Sequence, residues 1–78
     1  MINPSEIQRL IVTALPGATV NVRDLTGGGD HYEIDIVSAA FEGLPTLQRH
    51  RLVHAPLRDV LGGALHAVAL RTRTPSET

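Results

Sequence analysis

Histidines at positions 31, 50, 54 and 66 have the widest chemical reach in this 78-residue chain, which contains no cysteine. An uncharged imidazole ligates zinc, copper and iron, and it changes charge near neutral pH. His50 and His54 are four apart, so a helix would stack them one turn above the other, the spacing of a helical metal pair. No HExxH glutamate lies between them, however, and Arg51 follows His50 directly, where its charge would repel a cation. The plainer reading is one half-buried and one surface histidine. His31 and His66 lie far apart in sequence and meet only if the fold brings them to one edge. Even then two imidazoles do not complete a tetrahedral site, so without cysteine the missing ligands must come from another molecule.

Other constellations are weaker. QRHRLVH (Gln48 to His54) packs Arg49, His50, Arg51 and His54 around Leu52 and Val53. Arginines suit bidentate phosphate contact, and a helix after a short turn is the layout of a helix-turn-helix reader. Glu42 and Asp59 flank the cluster, and no Asn or Gln follows one or two turns on to read base edges. A solvated, partner-facing surface of Arg49, His50, Arg51, His54 and Arg58 is therefore expected rather than a DNA reader. Gly27-Gly28-Gly29 is no phosphate cradle, because it lacks the Gly-Lys-Ser/Thr ending and leads into a strand. Glu33 and Asp35 alternate outward as solvated strand residues would, and no Ser-His-Asp signature appears, so catalysis is not expected.

Local sequence pattern predicts the secondary structure around these residues. Asn3-Pro4-Ser5-Glu6 opens a helix, with Asn3 as cap, Pro4 at the first position and Glu6 as in a capping box. Ile7, Leu10, Ile11, Ala14 and Leu15 give it one apolar face, and Pro16-Gly17 ends it. Ala18 to Leu25 and His31 to Ser38 alternate apolar and polar around Thr26 to Asp30, which predicts an antiparallel hairpin. After a turn or loop at Ala39 to Leu44, Pro45 opens a second helical segment. Its apolar positions are Val53, Leu57, Val60 and Leu61, extended backward by Leu47 and His50. Pro56 should kink that segment or split it into two short helices. Gly62-Gly63 stops it, Leu65 to Arg73 forms the last strand, and Thr74 to Thr78 reads as a short polar tail. A strand, a helix and another strand imply a right-handed crossover between parallel neighbours. The expected fold is therefore α+β, a three-stranded mixed sheet with helices on one face. His31 and His66 then start adjacent parallel strands at the same edge.

Length and composition fit that plan. The chain suffices for one domain, with an ordered core over about residues 3–73. Apolar residues make up 42% and only Tyr32 and Phe41 are aromatic, which predicts an aliphatic core. All seven basic side chains are arginine and the net charge is −1, which is not the balance of a dedicated nucleic-acid binder. No secretory leader or bilayer-length apolar run is present, so a cytoplasmic protein without membrane contact is expected.

The run from Ala40 to Pro75 resembles the signature region of the BolA family. Phe41-Glu42-Gly43, Arg49-His50-Arg51-Leu52-Val53, Leu65-His66-Ala67 and Thr74-Pro75 carry the match, and the preceding helix and hairpin agree in order and length. The resemblance implies a fold similar to class II KH domains. The Gly-x-x-Gly loop by which KH modules clamp nucleic acid is missing, since Gly62-Gly63 lies after the helix. The family is associated with monothiol glutaredoxins carrying a Cys-Gly-Phe-Ser site, with which its members share a [2Fe–2S] cluster as a heterodimer. Glutaredoxin cysteine and glutathione supply thiolates there, and the BolA-like partner supplies the histidine opening the last strand plus a His or Cys from the hairpin loop. His66 matches the first of these, and His31 is the available counterpart of the second. The resemblance implies no cluster on the isolated chain and no small-molecule substrate. Family members are also described as DNA-binding regulators, which here would require Arg49, Arg51 and Arg58 to contact phosphates.

Overall fold

The computed structural model describes residues 3–27, 31–61 and 68–77. Asn3 caps the first helix, α1 (Pro4–Ala14), its side-chain oxygen accepting the Glu6 N–H at 3.0 Å. The Glu6 carboxylate turns forward to pair with Arg9 one turn on. Ile7 and Ile11 are wholly buried, one turn apart on the inward face. The helix closes where the Leu15 N–H reaches the Ile11 carbonyl, and Gly17 takes φ +86°, a backbone state costly for any residue with a Cβ.

Strands β1 (Thr19–Asp24) and β2 (Tyr32–Val37) pair antiparallel, from Thr19 opposite Val37 to Asp24 opposite Tyr32. One further bond, from the Leu25 N–H to the His31 carbonyl at 2.8 Å, extends the hairpin to His31. Strand β3 (Val68–Arg73) pairs parallel with β2, from Tyr32 opposite Val68 to Val37 opposite Arg73. The sheet order is β1-β2-β3, the mixed topology that the helical crossover predicts. Between β2 and the second helix, Ala39–Phe41 forms a 3-10 turn capped by the Ser38 hydroxyl, which accepts the Ala40 N–H.

That second helix, α2, runs unbroken from Thr46 to Leu61. It does not divide into two at Pro56, as expected from the missing donor. Proline removes the bond to the Leu52 carbonyl, but Leu52 lies on the exposed flank, where water can serve that oxygen. Val53 and Leu57 meanwhile are fully buried on either side of the proline and hold both halves to the core. The outward limits of that face also differ from the periodicity. Leu47 is 62% exposed and Val60 46% exposed, so the buried stripe is narrower than the apolar pattern.

One face of the sheet is covered. Val20 on β1 and Tyr32, Ile34 and Ile36 on β2 join Ile7, Ile11, Val53, Leu57 and Phe41 in a single core, edged by Val22, Val68 and Leu70. The core is not purely aliphatic, since Tyr32 and Phe41 are its two largest buried side chains. The opposite face carries charge: Arg23 pairs with Glu33 across the hairpin, and Arg71 Nε stands 4.0 Å from Asp35 Oδ1. That Asp35 oxygen is buried and accepts no hydrogen bond among the described residues, and the Arg71 charge offsets it. No helix among the described residues is long and apolar enough to cross a membrane.

Candidate functional site

The parallel register sets which residues share an end of the sheet. Because Tyr32 lies opposite Val68, β2 and β3 start level with one another. His31 directly precedes Tyr32, and its side chain is exposed while its carbonyl is held by Leu25. His66 lies outside the described residues, two positions before Val68. Asp24 Oδ1 organises the start of the hairpin loop by accepting N–H bonds from Thr26 at 3.3 Å and Gly27 at 3.0 Å. Among the described residues no three His, Cys, Asp or Glu side chains converge on a common point.

The expected basic surface divides once α2 is placed. Arg49 does not face solvent with the others: its side chain is 14% exposed and its guanidinium is consumed inside the protein. Nε donates to the Leu44 carbonyl at 2.8 Å, one terminal nitrogen to the Thr72 carbonyl at 3.2 Å, and both terminal nitrogens grip the Glu77 carboxylate. The same group lies 5.9 Å above the Phe41 ring, a cation–π distance. Arg49 thus ties the start of α2 to the end of β3. The segment read as a polar tail supplies the other half of this clamp. Thr74 is buried, Pro75–Glu77 forms a 3-10 turn, and Glu77 also accepts the Thr74 N–H at 2.8 Å. The two donors hold the Glu77 carboxyl down at about 2, the Arg49 guanidinium contributing most.

Arg51 and Arg58 do remain exposed on α2, Arg58 in its last turn, where a cation suits the helix dipole. A phosphate-binding face built on three arginines would therefore keep two of them. Arg51 lines a shallow groove of about 380 Å³ with Leu44, Gln48 and Leu52. Leu52 is exposed and belongs to that groove, not to the core. Periodicity could not show this, because positions flanking a buried stripe are apolar in either case. His50 and His54 are both half-buried, with ring centroids 6.4 Å apart. Burial, then His50 and Arg58, hold the His54 imidazole below its ordinary value.

With this geometry in place, the relatives can be weighed. The family model described as BolA-like protein matches residues 13–77, which is most of the chain. The chain belongs to the BolA family. Human BolA-like protein 1 is 53% identical over 51 residues, covering 65% of this chain and 37% of the human protein, so the match spans well under half of that relative. The structure of BolA1 from Arabidopsis thaliana superposes with a TM-score of 0.86 at 31% identity, covering 100% of this chain and 99% of the other. The BolA domain of SufE1 from Arabidopsis thaliana gives 0.82 at 29% identity, with full coverage of both chains. The region matched by the BolA model contains the whole clamp, from Leu44 through Arg49 to Glu77.

Proposed function

We propose that this BolA-family chain is a non-catalytic partner of a monothiol glutaredoxin of the Cys-Gly-Phe-Ser type, holding a [2Fe–2S] cluster jointly with it in iron–sulfur trafficking or iron regulation. What supports the reading is the level, parallel start of β2 and β3, with an exposed His31 directly before β2 and His66 two positions before Val68 in the sequence. The donor set fits a shared group and not a resident one. With no cysteine, the chain offers imidazole only, and thiolates must arrive on glutaredoxin and glutathione.

His31 and His66 would hold the iron on this side. Two neutral imidazoles in place of two thiolates lessen the negative charge of such a cluster and raise its reduction potential. The chain's own contribution is positional: the Leu25 bond fixes the backbone of His31, and β2 fixes its distance from β3. An exposed imidazole at a sheet end is also free to meet a partner without opening the core.

The test mixes the protein with such a glutaredoxin, iron, sulfide and glutathione under anaerobic conditions. The absorption and circular dichroism spectra should differ from those of the glutaredoxin homodimer, and both His66→Ala and His31→Ala should alter them. An unchanged spectrum for His66→Ala would refute the ligand assignment, and failure of the two proteins to associate would refute the partnership.

A further inference from the structure

Glutaredoxin binding leaves one pair of imidazoles unused. His50 and His54 sit on successive turns of α2 with ring centroids 6.4 Å apart and planes inclined at 52°. Both are half-buried on the flank beside Val53 and Leu57, which are fully buried and fix the rotation of the helix. Neither imidazole has a hydrogen-bond partner among the described residues, and neither has a sealed-off nitrogen, so the ring nitrogens are open to an external group.

We propose that His50 and His54 form a two-imidazole chelate for a nitrogen-preferring divalent cation, with Zn²⁺ and Cu²⁺ as its natural occupants and water completing the coordination. Imidazole nitrogens bind such ions at about 2.0–2.1 Å, so two rings on one tetrahedral ion bring their centroids to roughly 5 Å. The observed separation exceeds this by about 1 Å, a gap closed by side-chain rotation at a half-exposed surface. No backbone movement is needed.

The surroundings set the selectivity. Arg58 stands one turn beyond His54 and Arg51 directly follows His50, so a cation gains nothing from the local field. Ions bound mainly by charge, such as Mg²⁺, are therefore excluded, whereas those that form strong bonds to nitrogen are not. The pair is complete within one helix of the isolated chain. It is independent of the glutaredoxin reading, which concerns His31 and His66.

The experiment titrates the purified chain separately with Zn²⁺, Cu²⁺ and Mg²⁺, following Zn²⁺ by NMR of the imidazole and amide signals and all three ions by the thermal midpoint. Zn²⁺ should shift signals centred on His50 and His54, and Zn²⁺ and Cu²⁺ should both raise the midpoint, Mg²⁺ having no effect. His50→Ala and His54→Ala should each lose roughly 100-fold in affinity, the advantage of two linked ligands over one. The His31→Ala/His66→Ala double variant should bind as before, which separates this site from the other. Circular dichroism confirms that each variant is folded, and His54→Gln provides a milder replacement. Affinity unchanged in the α2 variants, affinity lost in the His31/His66 variant, or no response at millimolar Zn²⁺ would each overturn the proposal.

Discussion

Replacing Pro56 by alanine tests whether α2 is one helix in solution. Proline in a helix interior is less favourable than alanine by about 3 kcal/mol, through the lost donor and the clash with the preceding turn. Two terms oppose the gain. Alanine loosens the unfolded chain, which returns about 0.4–1 kcal/mol. Pro56 is half-buried, and trimming two partly covered ring carbons forfeits about 0.8 kcal/mol at the usual value per methylene. The balance is a stabilisation of about 1–2 kcal/mol, since the new N–H at position 56 finds the Leu52 carbonyl waiting. In a domain of this size that raises the thermal midpoint by roughly 5–15 °C. Urea unfolding should show a higher midpoint at constant slope, which would place the change in the folded helix and not in the denatured ensemble. A midpoint that falls or stays put in Pro56→Ala would refute a continuous α2 and restore a break at the proline.

Three further outcomes follow from the core, the clamp and the histidine pair. Phe41→Ala empties a wholly buried site beneath Arg49 and should cost about 3–5 kcal/mol in chemical denaturation, against a total of roughly 4–12 kcal/mol for a chain of this length. Glu77 has a carboxyl held down at about 2, so its contribution is complete above the ordinary carboxylate value and drains away as pH falls toward 2. Glu77→Gln should therefore lower the thermal midpoint at neutral pH and flatten its decline on acidification, and parallel curves for the two proteins would contradict the clamp. The His54 imidazole should titrate by NMR below its ordinary value and move upward in His50→Ala, because one of the charges opposing its protonation is gone. Because folding disfavours the protonated form, its effect on stability is felt only as pH drops through the histidine range.

Much of the architecture was legible in local pattern. Asn3 and Pro4 begin α1, the period-two runs give the hairpin, and a helix between strands implies the parallel β2–β3 pair, because each of these signals lies within a few residues of its consequence. What sequence could not show is whatever depends on distant partners. Arg49 reads as a surface cation until Glu77, 28 positions later, is seen to receive it. Thr74 to Glu77 reads as tail for the same reason. Leu47, Leu52 and Val60 are apolar and helical yet exposed, whereas Val53 and Leu57 are fully buried and Leu61 packs partly buried against the core, so the buried stripe is narrower than the pattern suggests. Phe41 announced nothing of its place in the core, sitting in a short turn with no periodicity around it. For the candidate site, the placement of His31 at the start of β2 followed from alternation. Its relation to the start of β3 rests on the register of described strands, while His66 itself lies outside the described residues.

The clamp at Glu77 also fixes the direction in which the molecule can be extended. Glu77 is fastened beside the first turns of α2, at the end of the sheet where β3 finishes and His31 is farthest away. A label, surface tether or second module joined after Glu77 therefore departs from the side opposite the histidine end and leaves that end clear. One joined before Asn3 starts from the other side, because α1 runs back over β1 from the short turn at residues 15–18. Tethering by the C-terminal side is thus the arrangement that leaves the side of the proposed glutaredoxin contact unobstructed.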